Sequence, residues 1–188
     1  ISLKDYLKIY GDMGNSKSIA SILVYDSTES PVNTVNVTNK SFKGQKGVIG
    51  IIGAGNFTSA TLMPQLKKLN ANVKYIASSG GLSSTTMAKR YGVSNSTSDY
   101  QEILKDAETD LVLITTKHNS HAKFVTETLK AGKSVFVEKP LALNQEELSE
   151  IIEVYNNNSG SLSVGFNRRF APLAKDMKKL LGNDNTPK

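Results

Sequence analysis

The sequence has no cysteine among its 188 residues. That excludes disulfides, thiolate nucleophiles and cysteine metal sites together, and it fits a cytoplasmic protein. Only two histidines are present, His118 and His121. At three residues apart they could hold a metal, but no carboxylate or third histidine stands near them in the sequence. A structural or cofactor-side role is expected instead, and no metal site. No apolar run approaches the length that crosses a bilayer, and no signal-peptide pattern opens the chain. No repeat or low-complexity segment interrupts it. The chain opens on Ile1 and closes on a polar tail, so a piece of a longer protein is expected.

What is present suits one globular domain and a little over. Hydrophobic residues make up 38% of the chain and the formal net charge is +6. Such a charge could point to nucleic acid, but the lysines are scattered. The densest clusters are Lys67-Lys68, Lys178-Lys179 and Arg168-Arg169. They read as solvated helix faces, with no basic stripe interleaved with aromatics. Neither nucleic acid nor a membrane is expected as a partner.

From residue 47 onward the pattern is regular. Residues 47–52 (GVIGII) form a near-continuous apolar run, as expected of a strand buried on both faces. Residues 56–69 read as a helix with Pro64 as a local irregularity. Strands are predicted over 73–78, 110–116, 134–140 and 161–166. Helices are predicted over 83–92, 98–107, 120–132 and 144–158. Asp99 with Glu102, and Asn144 with Glu147, make two capping boxes. Leu148, Ile151, Ile152 and Tyr155 share one face of the last of these helices. This alternation predicts an α/β fold with a doubly wound parallel sheet and right-handed crossovers.

Residues 1–46 do not read as the start of that domain. ISLKDYLKIY has helical spacing, residues 18–26 read as a buried strand, and the polar stretch after them reads as a linker with an edge strand.

The chemistry starts at Gly53-Ala54-Gly55, directly after the first regular strand. Gly53 can turn the chain tightly. Gly55 lets the backbone approach a pyrophosphate, whose charge then sits at a helix N-terminus. Thr58 replaces the third glycine of the fingerprint, which serves close helix–strand packing. About twenty residues on, an acid would hold the ribose hydroxyls of NAD and an arginine would favour NADP. The sequence offers Ser78 and Ser79, then Gly80-Gly81. NAD and NADP both stay open. Lys139 lies at a predicted carboxyl strand end, where ligands of open parallel sheets bind. Removing hydride from an alcohol requires its hydroxyl proton to leave. A lysine ammonium there stabilises the developing charge and tunes proton transfer. Glu138 either orients Lys139 or is simply solvated.

Four motifs in order, GIIGAGNF, LITTKHNSHA, VFVEKPLAL and VGFNRRFAP, resemble the nucleotide-binding half of the glucose–fructose oxidoreductase, inositol dehydrogenase and MocA family. The resemblance covers about residues 47–172. It implies a Rossmann fold over 47–166, with residues 167–188 opening a second, α+β substrate domain that is mostly missing. It implies that Gly53, Gly55, Asn56 and Phe57 line the pyrophosphate. Thr115, Thr116 and His118 would lie along the cofactor, with Lys117 and His118 replacing the family's usual proline and asparagine. His121 occupies the family's histidine position. Glu138 and Lys139 would face the nicotinamide as the catalytic pair, before a candidate cis bond to Pro140. Asn167 and Arg168 would complete the cofactor contacts. The implied activity is hydride transfer between NAD or NADP and a sugar, inositol or related polyol, in a homo-oligomer when full-length. The alternative is a non-catalytic dinucleotide sensor or scaffold. The first 26 residues resemble the last helix and strand of a medium-chain alcohol dehydrogenase-like domain, which implies an upstream fusion partner; the alternative is an ordinary N-terminal extension.

Overall fold

The computed structural model describes residues 1–12, 14–15, 20–24 and 32–181, apart from the side chains of residues 3 and 12. The chain divides into two compact units, Ile1–Val32 and Asn33–Lys188.

In the first unit a 3-10 turn at Leu3–Asp5 leads into α1, Tyr6–Asp12. The buried strand expected over 18–26 is not formed by its described residues. Only an isolated bridge joins Val24 to Ser2, and Ile22 and Val24 are 78% and 59% exposed.

The second unit is a seven-stranded sheet. Its strands are β1 (Thr34–Asn36), β2 (Ile49–Ile52), β3 (Val73–Ala77), β4 (Asn95–Thr97), β5 (Leu111–Ile114), β6 (Ser134–Glu138) and β7 (Leu162–Gly165). The order is β1-β4-β3-β2-β5-β6-β7. All pairings are parallel except that of the edge strand β1 with β4. The six parallel strands thus run third, second, first, fourth, fifth, sixth. This is the doubly wound order, with its switch point between β2 and β5.

Helices cover both faces. Met63 of α2 (Met63–Lys68) and Met87 and Ala88 of α3 (Leu82–Tyr91) pack on one side, against Ile49, Ile51, Ile76 and Leu113. On the other side lie Ile103 and Leu104 of α4 (Gln101–Lys105), Val125 and Leu129 of α5 (His121–Lys130), and Ile151 and Val154 of α6 (Gln145–Asn156). A final helix, α7, spans Pro172–Leu181. All four residues of β2 are buried, as a strand covered on both faces must be. Phe42 is also buried, at 2% exposure, with the Lys40 and Lys74 ammonium groups over its ring.

Three local expectations shift. The Asn144 side chain does accept from the Glu147 N–H at 2.8 Å, but the Glu147 carboxylate reaches the Leu143 N–H. The Asp99 carboxylate accepts from the Gln101 N–H and so makes an Asx turn, while the Glu102 N–H donates to the Asp99 carbonyl. The buried stripe of α6 centres on Ile151 and Val154, while Ile152 and Tyr155 are 50% and 43% exposed. The sheet selects one of two adjacent apolar rows.

The amino ends of the strands carry an ion cluster. Lys74 Nζ contacts Asp106 at 2.6 Å and Glu108 at 2.7 Å. The Thr109 hydroxyl donates to Asp106 at 2.6 Å, and Lys133 Nζ donates to the carbonyls of Asp106 and Thr109. Burial opposes charge on both members of the Lys74–Asp106 pair. The hydrogen bonds and opposite charges outweigh it, holding Lys74 above its ordinary pKa and Asp106 below its own. Burial wins at Lys133 and pushes it down.

Candidate cofactor site

A cleft of about 770 Å³ opens at the carboxyl ends of the central strands. Of the expected residues, Gly53, Gly55, Ser78, Ser79, Thr115 and Thr116 line it together. Gly53 has a φ of 117°. A Cβ there would stand 2.7 Å from the Thr115 hydroxyl and 2.8 Å from the Thr115 carbonyl carbon. Position 53 therefore needs glycine for both conformation and space. Gly55 is exposed and a Cβ there would meet nothing within 4 Å. The backbone is bare on the side where a phosphate would approach.

Ser78 follows β3 directly and sits inside a hydroxyl cluster. It donates to the Ser84 hydroxyl at 2.9 Å and accepts from the Ser83 hydroxyl at 3.0 Å. Among the described residues no carboxylate lines the cleft. Its far wall is aromatic: Tyr100 and Phe124 meet edge to face with ring centroids 4.7 Å apart. Tyr100 donates to Glu127 at 2.8 Å, and so does Gln101 at 2.9 Å. The sequence reading omits both rings. Tyr100 follows β4, a strand with no apolar signal, and Phe124 reads only as part of a helix core face. Lys117 lines the cleft too, and Ser98, Asn119 and Ser120 join it without having been singled out.

Other expected residues lie outside this cleft. Asn56 and His118 are exposed and Phe57 is half-buried. His121 is fully buried. Its Nδ1 lies 2.7 Å from the Pro140 carbonyl and its Nε2 lies 3.1 Å from the Thr116 carbonyl. A backbone carbonyl faces each ring nitrogen, so His121 sits between the loop after β5 and the loop after β6. His118 meets it edge to face at 5.6 Å. Among the described residues no group of three or more histidine, cysteine or acidic side chains is placed to hold a metal.

Lys139 and Pro140 border a second hollow of about 470 Å³ beyond β6, with Leu141, Leu143, Leu148 and Phe166. The Lys139–Pro140 bond is cis. The Glu138 Oε1 is shut away from solvent with no hydrogen-bond partner, so the solvated reading of Glu138 does not hold for that oxygen. Asn167 and Arg168 are exposed on a 3-10 turn at Asn167–Phe170.

The oxidoreductase family with an NAD-binding Rossmann fold, the glucose–fructose oxidoreductase, inositol dehydrogenase and MocA group, matches residues 48–166. The chain belongs to this family. Among family members, myo-inositol 2-dehydrogenase of Thermotoga maritima is 36% identical over 97 residues, covering 52% of this chain and 29% of that protein. Levoglucosan dehydrogenase of Pseudarthrobacter phenanthrenivorans is 32% identical over 108 residues, covering 57% and 28%. A solved levoglucosan dehydrogenase in complex with NADH and L-sorbose superposes with a TM-score of 0.63 at 30% identity, covering 71% of this chain and 38% of that one. A 3-ketoreductase of Actinomadura kijaniata in complex with NADP, at 23% identity and a TM-score of 0.66, shares the fold; it covers 71% of this chain and 42% of its own. The chain spans less than a third of the length of the two curated relatives.

Proposed function

We propose that the chain is the cofactor-binding part of an NAD- or NADP-dependent dehydrogenase that moves hydride between the nicotinamide and a sugar, inositol or related polyol. The observation that carries this reading is the bare backbone at Gly55, at the switch point of a doubly wound sheet, beside a cleft lined by Ser78, Ser79, Thr115 and Thr116. The residues present fit a dinucleotide. The Gly53–Gly55 turn and the helix behind it would hold the pyrophosphate. Thr115 and Thr116 would lie along the cofactor. Ser78 and Ser79 would face the adenosine ribose and tolerate either cofactor. When bound, the nicotinamide supplies the hydride acceptor. Lys139, with its ammonium at the reacting oxygen, would stabilise the developing negative charge and tune departure of the hydroxyl proton.

The remaining contacts are part of the same proposal: Asn56 and Phe57 near the pyrophosphate, His118, Glu138 and Pro140 near the nicotinamide, and Asn167 and Arg168 at the entry to a substrate domain after residue 166. His121 enters as the residue between two of these loops. We further infer a cytoplasmic, homo-oligomeric full-length enzyme, with the first 26 residues as the end of an upstream alcohol dehydrogenase-like domain. The inositol and levoglucosan dehydrogenases among the relatives support the polyol reading. None of the relatives quoted supports a non-catalytic sensor.

The test is reduction of NAD and NADP by the full-length protein against a panel of inositols and sugars. Lys139→Met should lower kcat by about 10²- to 10⁴-fold, with dinucleotide affinity nearly unchanged. Saturable cofactor binding without turnover on any polyol would overturn the enzymatic reading.

A further inference from the structure

Residue 58 is where the dinucleotide fingerprint asks for glycine, because helix and strand approach closely there. Thr58 stands in its place and is fully buried. Its hydroxyl donates to the Gly53 carbonyl at 2.9 Å and lies 2.7 Å from the Thr115 hydroxyl. The Thr115 hydroxyl in turn lies 3.0 Å from the same Gly53 carbonyl. Two hydroxyl protons serve three short contacts, so one proton reaches the carbonyl and the other joins the two hydroxyls.

The helix behind the turn is wider than an α-helix. Thr58–Leu62 forms a π-helical segment, in which the Met63 N–H donates to the Thr58 carbonyl five residues back. The added width takes up the side chain that glycine would lack. It also leaves the Ser59 carbonyl facing Pro64, which has no N–H to give. The Tyr91 hydroxyl supplies the donor, at 3.2 Å.

We propose that Thr58 is a positioning residue for the pyrophosphate: with Thr115 it latches the Gly53 carbonyl and so sets where Gly55 meets the cofactor. This rests on the dinucleotide reading of the cleft. Gly53 is then held from three sides. Its N–H donates to the Ala77 carbonyl of β3 at 2.9 Å. Its carbonyl is held by the coupled hydroxyls of Thr115, just after β5, and Thr58 on the helix, one donating to it and the other to its neighbour. Gly55 has no side chain and a Cβ there would touch nothing; its carbonyl accepts from the Ser59 N–H at 3.0 Å, so its backbone placement is set by the Gly53 anchors and the first turn of the helix.

The experiment compares the 188-residue chain with Thr58→Val and Thr58→Ser. Each is titrated with NADH by nicotinamide fluorescence, at a temperature where circular dichroism shows it fully folded. Val keeps the shape and removes the hydroxyl, while Ser keeps the hydroxyl and removes a methyl. The latch predicts about tenfold weaker binding for Thr58→Val and less than about twofold change for Thr58→Ser. If both variants lose thermal stability but the folded protein binds NADH with unchanged Kd, Thr58 only fills space and the proposal fails. It fails equally if Thr58→Ser, which keeps the hydroxyl, weakens binding about tenfold. If the unaltered chain binds neither NADH nor NADPH, the dinucleotide reading falls first and takes the latch with it.

Discussion

Substituting Gly55 by Asp separates cofactor binding from folding. The position has open space around it and its φ is not among the positive glycine angles. An aspartate is therefore accommodated without strain, and its carboxylate projects into the cleft. At about 4 Å, two unit charges at an effective dielectric near 20 repel by about 4 kcal/mol. Water in an open cleft screens part of that. Half of it, about 2 kcal/mol, weakens the dissociation constant about thirtyfold. The assay is NADH titration by calorimetry beside a thermal melt. Gly55→Asp should melt within about a degree or two of the parent chain, since surface changes stay within about 0.5 kcal/mol. Gly53→Ala is the contrasting control: a φ of 117° and a contact at 2.8 Å with the Thr115 carbonyl carbon should cost about 2–4 kcal/mol of stability. A folded Gly55→Asp protein that binds NADH as tightly as the parent chain would refute the placement of the pyrophosphate.

Two further predictions concern stability alone. Asp106→Asn removes the carboxylate shared by Lys74 and Thr109 and should cost about 1–3 kcal/mol in urea denaturation, with NADH affinity unchanged. Because Asp106 is held below the ordinary carboxylate pKa, its contribution is present above about pH 4 and is lost as pH falls through its folded value. The raised Lys74 contributes fully below about pH 10 and loses that contribution as pH rises through its folded value; a urea series across pH reads both limbs. Asn144→Ala removes the cap on α6 and should cost about 1 kcal/mol, read from the same denaturation midpoint.

The sequence announces the parts of this fold that are apolar on both faces. Ile49–Ile52 and Leu111–Ile114 read as strands because parallel interior strands bury every side chain. The strand Asn95–Thr97 carries no such signal. Its residues are satisfied by hydroxyl contacts, Ser96 with Ser84 and Thr85, and Thr97 with Thr34. Without that strand the cleft position of Tyr100 is not legible either. The irregularity assigned to Pro64 lies one turn earlier, over Thr58–Leu62, while Pro64 itself sits acceptably in the first turn of α2. The glycine turn and the serines after β3 were readable because each is fixed by its place at a strand end. The burial of His121 was not, because both carbonyls it meets are contributed by backbone folded back from other segments.

The edge strand β1 has a practical consequence for anyone who trims the protein. The family boundary opens at residue 48, but the compact unit opens at Asn33. A chain cut at the family boundary would lose Thr34–Asn36 and bare the outer edge of β4, whose free backbone groups then become a template for another copy. It would also lose Phe42, a core side chain contributed from outside the recognised domain. Precipitation of such a shortened protein would report an unprotected edge, and would say nothing about whether the cofactor cleft is formed.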